Sequence, residues 1–333
     1  MTLLFDKTGP IDSPTLAPAS VDNHCRSPDR SAAARVIEIG LVNNMSDAAL
    51  RATERQFMRL LRAGSGEHLV RLHCFALPSV QRSPATRQRI DSLYADIADL
   101  RHTRLDGLIV TGAEPRAATL QSEPYWDEMR ALVDWAEANT RSTIWSCLAA
   151  HAAVLHLDGI ERERLPQKCS GVFAGEQVND DALLSDLPSP LKVPHSRLND
   201  LAADRLAARG YEVLTHAPNA GVDIFARQGR SRFVFFQGHP EYDATSLQRE
   251  YLRDIGRFLT GERHDYPEFP VDYFDADIED ALDGFRAEAE AARDPAIIAR
   301  LPHLALRQGT AEGIETTANA LFRNWLISLA SEP

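Results

Sequence analysis

The amino-acid sequence predicts an α/β fold, a mostly parallel sheet with helices on both faces. Three observations carry the prediction. From residue 35 to residue 160, short apolar runs alternate with segments of helical period, the pattern of buried parallel strands joined by crossover helices. Asn43, Gly112 and Cys147 each stand where one of those runs ends, and such sheets present their ligand sites at the carboxyl ends of strands. Finally, STIWSCLAAHAAVLHLDG passes from a β-prone run through a cysteine into an apolar helix, a strand, a sharp turn and a helix.

Taken in order, residues 1–33 hold Pro10, Pro14, Pro18 and Pro28 among Ser, Asp and Arg without a lasting period, and read as a loosely ordered arm. In RVIEIGLVNNM, Val36, Ile37, Ile39, Leu41 and Val42 make a first buried strand. SDAALRATERQFMRLL reads as a polar loop that becomes an amphipathic helix, with Leu50, Phe57, Leu60 and Leu61 on one face. HLVRLHCFALP is a second strand stopped by Pro78, and QRIDSLYADIADLR a second helix with Ile90, Leu93, Ile97 and Leu100 on one side. DGLIVTGAEP gives a strand through Leu108, Ile109 and Val110, then a turn at Thr111, Gly112 and Ala113 whose N–H groups can face a ligand. PYWDEMRALVDWAEANT is a third helix, leading into the strand from Ser142 to Ser146 and the helix that ends near Gly159.

Further on, QKCSGVFAGEQV and LPSPLKVPHSRLND read as short strands or turn-rich loops. YEVLTHAPNAGVDIFARQGRSRFVFFQGHPEYD reads as successive strands with turns at Gly221 and at Gly229 and Arg230. SLQREYLRDIGRFLTG is an amphipathic helix closed by Gly261, HDYPEFPVDYF a linker, and IEDALDGFRAEAEAARD a solvated helix. ANALFRNWLISLA offers Leu321, Trp325 and Leu326 to a core. The chain thus divides into the arm at 1–33, an α/β domain at 34–265, and a linker with helices at 266–333 packed on the same domain.

Composition narrows the partners. Hydrophobic residues are 44% and charged residues 25% of the chain, and no apolar run is long enough to span a membrane. A net charge of −12 leaves no basic face for nucleic acid. Cys25, Cys74, Cys147 and Cys169 are scattered without metal or disulfide spacing, which points to the cytoplasm and to no metal site. Small molecules and other copies of the chain remain.

A thiol at a strand-to-helix elbow faces unpaired N–H groups and the positive end of the helix dipole, both of which favour thiolate. FVFFQGHPE supplies a partner, since His239 and Glu241 stand just past the end of an apolar strand. Cys147 as nucleophile, His239 as base and Glu241 as orienting carboxylate make a Cys/His/Glu set. The bland alternatives are a core cysteine and a loop histidine held by backbone. His151 lies four residues after Cys147 and reads equally well as a helix-packing residue, while His102, His195 and His264 read as loop histidines with no nucleophile nearby.

The elbow, GHPEYD, DGLIVTGA, PYWDE…DWA, KCSGVF, VPHSR and LFRNWL occur in register from about Val36 to Trp325. Together they resemble the homoserine O-acyltransferase (trans-succinylase) family, of the class I glutamine-amidotransferase-like fold with flavodoxin-like layering. The resemblance implies transfer of an acyl group from acyl-coenzyme A to Cys147 and then to the hydroxyl of homoserine. It implies Lys168, Ser196 and Arg253 as substrate contacts, no bound cofactor, acyl-CoA as co-substrate, and a homodimer. The backbone N–H of Leu148 and one from Gly112 to Ala113 are the expected oxyanion donors.

Two departures qualify it. Where the family carries a lysine pair, this chain has Asp47 and Ala48, and the position that sorts succinyl from acetyl donors holds Arg116. A guanidinium can pair with the free carboxylate of a succinyl group, so succinyl-CoA is the favoured donor. L-Serine or another small hydroxy amino acid as acceptor, amide hydrolysis of the glutamine-amidotransferase kind, and a non-catalytic binding protein stay open as alternatives.

Overall fold

The computed structural model describes residues 3–5 and 36–331. Its elements, in order, are β1 Leu3–Phe5, β2 Val36–Val42, α1 Asp47–Gly64, β3 Leu69–Phe75, α2 Pro84–Leu93, β4 Gly107–Val110, α3 Trp126–Asn139, β5 Ser142–Ser146 and α4 Leu148–Asp158. There follow β6 Glu163–Gln177, β7 Leu191–Asp200, α5 Ala203–Ala207, β8 Glu212–Val213, β9 Thr215–Ala217, β10 Gly221–Val222, β11 Ile224–Gln228 and β12 Arg232–Phe236. Three helices close the chain: α6 Ser246–Leu259, α7 Ala276–Ala292 and α8 Thr310–Ala330.

Eight strands form the main sheet in the order β1-β3-β2-β4-β5-β12-β11-β8. Pairing is parallel from β1 through β12 and antiparallel at β11 and β8. Its side chains alternate between two cores, as pleating requires. Ile37, Ile39, Leu41, Ile109, Ile144, Val234 and Phe236 face α1 and α8, whereas Val42, Leu108, Val110, Trp145, Phe233 and Phe235 face α3 and α4. A third core joins α6, α7 and the segment between them through Tyr251, Phe258, Tyr273 and Phe285. A second sheet, β10-β9-β6-β7, stands beside the first.

Several sequence readings are corrected. The segment after β2 is helical from Asp47 onward rather than a loop. Its polar residues are the face turned to other buried polar groups: Glu54 accepts from the Tyr94 hydroxyl at 2.7 Å, and Gln56 donates to Ser246 Oγ at 2.8 Å. QRIDSLYADIADLR is not one helix. It breaks at Tyr94, whose extended backbone sends the ring inward, and a separate 3-10 turn, Ile97–His102, starts behind the Asp96 cap. QKCSGVFAGEQV and LPSPLKVPHSRLND are long antiparallel partners rather than short pieces, in register from Cys169↔Arg197 to Gly175↔Leu191. The last helix begins eight residues earlier than its apolar stretch, at Thr310. The arm lies outside the described residues except at Leu3–Phe5, which form an edge strand parallel to β3.

Candidate active site

Cys147 sits at φ 52°, ψ −111°, between β5 and α4. That left-handed backbone is costly for a residue with a Cβ and persists only where surroundings fix it. Here the Cys147 N–H donates to Phe236 O at 2.7 Å, tying the elbow to the end of β12. Small neighbours permit the turn: Ala149 and Ala150 are fully buried behind it. The thiol remains partly exposed. The first helical hydrogen bond of α4 runs from His151 N to Cys147 O, so the N–H groups of the first turn, Leu148 included, have no intrahelical acceptor.

β12 is the parallel neighbour of β5, with Phe236 opposite Ser146. The chain leaving β12 therefore delivers His239 beside Cys147. His239 Nδ1 lies 2.8 Å from Glu241 Oε1, which also accepts from Ser146 Oγ at 3.1 Å. The imidazole stacks on Tyr242 at 4.2 Å, and the His239 N–H donates to Pro194 O at 2.7 Å. With Nδ1 turned to the carboxylate, Nε2 is left for the sulfur. Burial alone would depress the His239 pKa, but the charges of Cys147 and Glu241 and the hydrogen bonds to both outweigh it and hold it well above 6.5. At neutral pH the ring keeps its proton beside the sulfur.

Gly112, at the end of β4, packs directly on the start of α4, where a Cβ would meet Leu148 Cβ at 2.7 Å and Leu148 N at 3.1 Å. The Gly112 to Ala113 turn and the Leu148 N–H thus border the same space above Cys147. Lys168 on β6, Ser196 on β7 and Arg253 on α6 line the same cleft, of about 1500 Å³. Lys168 and Ser196 converge on Glu250, one helical turn before Arg253, a residue that sequence reasoning missed. Glu250 accepts from Ser196 Oγ, from the Tyr242 hydroxyl at 2.6 Å and from Lys168 at 3.4 Å. Burial would raise its pKa, yet Lys168 and the two hydroxyls draw it down, so it is a partly buried carboxylate anion. The signal was the i, i+3 spacing of Glu250 and Arg253 on one amphipathic helix. Arg253 itself leans on Asp254 through Nε at 3.2 Å and Nη2 at 3.1 Å.

Arg116 lies exposed at the rim, with its guanidinium hydrogen-bonded to Gln81. Asp47 accepts from the Ser83 N–H at 2.9 Å, and Ala48 lines the cleft beside it. The cation at this loop is Arg82, which donates to Asn43 O at 2.9 Å and Met45 O at 2.5 Å. His195 is not a loop residue: it is fully buried on β7, 3.3 Å from Asp223. His151 lines the cleft but bonds Gln237 at 3.0 Å, and burial pushes its pKa down to about 3, making it a neutral packing group. His102 and His264 are exposed and outside the cleft. Ten basic side chains line the cleft against six carboxylates, in a chain whose net charge is −12. Such a cleft focuses a positive field for a polyanionic ligand. Among the described residues no group of three or more His, Cys, Asp and Glu is arranged to hold a metal ion.

Residues 22–332 match the family model described as homoserine O-succinyltransferase. Over all 333 residues, and the whole length of both chains, the sequence is 99% identical to a homoserine O-succinyltransferase of Rhodopseudomonas palustris. A homoserine O-succinyltransferase of Bradyrhizobium japonicum is 55% identical, covering 99% of each chain. Two solved glutamine amidotransferases share the fold, each over 89% of this chain at TM-score 0.51. One, from Thermotoga maritima, is 12% identical and covered to 99%; the other, from Methylobacillus flagellatus, is 16% identical and covered to 96%.

Proposed function

The chain belongs to the homoserine O-succinyltransferase family, and from that premise we propose how its cleft performs the O-succinylation of homoserine through a thioester on Cys147. The activity is that of an acyltransferase with succinyl-CoA as co-substrate. The observation that supports the covalent route is the elbow itself, a strained cysteine whose sulfur meets a protonated, carboxylate-backed imidazole.

In the first half-reaction the Cys147 sulfur attacks the thioester carbonyl. The C–S bond to coenzyme A breaks, and His239 gives its proton to the departing thiolate. The oxyanion that forms and collapses in between is held by the N–H of Leu148 and one from the Gly112 to Ala113 turn. In the second, His239 takes the proton of the homoserine hydroxyl as its oxygen attacks the acyl carbon, and the bond to Cys147 sulfur breaks. Glu241 keeps the ring oriented and charge-matched throughout.

Amino-acid recognition suits the second wall of the cleft. Arg253 offers two parallel donors to an α-carboxylate, and Glu250, one turn away, offers an anion to the α-ammonium. Lys168 and Ser196 brace Glu250. The excess of basic side chains fits the phosphates of coenzyme A, which we read as a visiting co-substrate, with no resident cofactor. A homodimer and a cytoplasmic location complete the reading. Trp325 on α8 is core at 1% exposure, so it offers no interface. No helix among the described residues is long and apolar enough to cross a membrane.

The test is thiol release from succinyl-CoA and acetyl-CoA, with and without L-homoserine or L-serine, beside intact mass. Acceptor-dependent coenzyme A release and a succinyl adduct on Cys147, both absent in Cys147→Ala, are the expected result. Release that persists in Cys147→Ala refutes the thioester. Preference for L-serine moves the acceptor, and ammonia from glutamine would put amide hydrolysis in its place.

A further inference from the structure

Under the loop that follows β4, a side cavity of about 240 Å³ adjoins the cleft and shares Ser46, Gln81, Ala113, Glu114, Arg116 and Ala117 with it. Glu123 and Tyr125 line it, each only 4% exposed. Glu123 Oε1 is taken by the main-chain N–H groups of Arg116 at 2.7 Å and Ala117 at 2.8 Å. Glu123 Oε2 and the Tyr125 hydroxyl are buried and have no partner. Buried polar atoms are rarely left so unless something outside the protein completes them. Burial holds the Tyr125 pKa well above 10, so its hydroxyl is a donor.

Arg162, between α4 and β6, lines the main cleft together with Cys147. Half-buried, it forms no hydrogen bond and no ion pair among the described residues. Burial works against its charge, and Tyr125, Cys147 and Glu123 are the groups near enough to favour it. It thus shares the cleft with the nucleophile, with all its donors unused, next to the side cavity that holds the two orphaned side chains. Glu123 is half engaged by the loop, which leaves those donors to a ligand. Arg116, by contrast, is exposed and spends its guanidinium on Gln81.

We infer that Arg162, with the Tyr125 hydroxyl beside it, receives the free carboxylate of a dicarboxylic acyl group held on Cys147, so that Arg162 rather than Arg116 selects succinyl over acetyl. The inference rests on the acyl-Cys147 reading. The chemistry fits. The far carboxylate carbon of a succinyl chain is three C–C bonds of about 1.5 Å each from the thioester carbon, so its receptor must border the sulfur. A planar guanidinium takes a carboxylate in a two-pronged grip, and the phenol adds a third donor. An acetyl group ends before reaching either.

The experiment offers equimolar succinyl-CoA and acetyl-CoA to the full-length protein and reads the ratio of the two Cys147 adducts by intact mass. Arg162→Gln takes the charge out of this grip and should lower the succinyl-to-acetyl ratio about 10- to 100-fold. Acetyl uptake should stay within about threefold of wild type, which separates lost selection from lost folding. Tyr125→Phe should lower the ratio by roughly fivefold, and Arg116→Gly should leave it unchanged. An Arg162→Gln protein that keeps the wild-type ratio, or an Arg116→Gly protein that loses it, overturns the inference. A wild-type protein that takes up neither acyl group overturns the thioester reading first and this one with it.

Discussion

Gly112→Ala tests the oxyanion site with one added carbon. The backbone there is not in the left-handed region, so alanine brings no torsional strain, only volume. Its methyl would lie 2.7 Å from Leu148 Cβ, 3.1 Å from Leu148 N and 3.3 Å from Leu148 Cα. Carbon atoms in contact sit at about 3.5–4.0 Å, so the β4 turn and the start of α4 must part by about 1 Å. Overpacking of this kind costs about 1–3 kcal/mol, which is a few degrees in Tm for a chain of this size. The larger effect is on chemistry, because the two donors proposed to straddle the oxyanion are the ones driven apart. Loss of one such donor lowers rate by roughly 100- to 1000-fold. Single-turnover coenzyme A release, followed with a thiol reagent, should slow by about 100-fold. Gly256→Ala on α6, where an added Cβ meets nothing within 4 Å, is the control. It should gain about 0.5–1 kcal/mol from helix propensity and keep full rate. If Gly112→Ala loses stability as calculated yet acylates within threefold of wild type, the β4 turn does not hold the oxyanion.

Three further outcomes follow from the site. Because the His239 pKa is raised, its stabilisation is complete below about 6.5 and fades as pH rises through the folded value. Glu241→Gln should move that fading to lower pH in melts from pH 6 to 9, and an unchanged profile would remove Glu241 from the account. His151 is opposite in sign. Its pKa is pushed down to about 3, so the unfolded chain binds the extra proton between about 3 and 6.5, and stability climbs with pH there by up to about 1.4 kcal/mol per unit. His151→Gln should flatten that slope; an equally steep acid limb would refute the neutral assignment. Glu250→Gln should raise the KM for homoserine about 10- to 100-fold while coenzyme A release in a single turnover stays intact, and a matching loss in both would place Glu250 on the donor side.

The sheet and the Cys147 elbow were legible because their signals are local. Apolar runs such as Ile37 to Val42 and Leu108 to Val110 are buried on both faces, and the small residues around Cys147 announce a turn that few other structures need. His239 and Glu241 were legible through one rule, that ligand sites collect at the carboxyl ends of parallel strands, and the β5 to β12 pairing sets those two strand ends side by side. What escaped was decided by distant partners. The polar half of α1 reads as loop until Tyr94 and Ser246 arrive to bond it. The β6 and β7 strands carry too many turn formers to look long, and only their pairing extends them. Glu250 resembles any exposed helix carboxylate until Ser196, Lys168 and Tyr242 close over it. Lys168, Ser196 and Arg253 were reached by resemblance; no local pattern singles them out.

The spacing of sulfur and imidazole is set by two adjacent strands, Ser146 opposite Phe236, and by the Cys147 N–H on Phe236 O. The chain between α4 and β11 meets β12 and its exit through side contacts, Asp181 on Arg232, Asp200 and Leu201 on Gln237, and the Pro194 carbonyl on the His239 N–H. That intervening stretch carries β6 and β7, and with them Lys168 and Ser196. The pairing that spaces sulfur and imidazole and the two side chains that brace Glu250 thus come from different parts of the chain, one written into the parallel sheet and the other hung from it. A transplanted β6–β7 hairpin that preserves the Pro194 carbonyl under His239 would change what surrounds Glu250 while the β5–β12 pairing stays as it is.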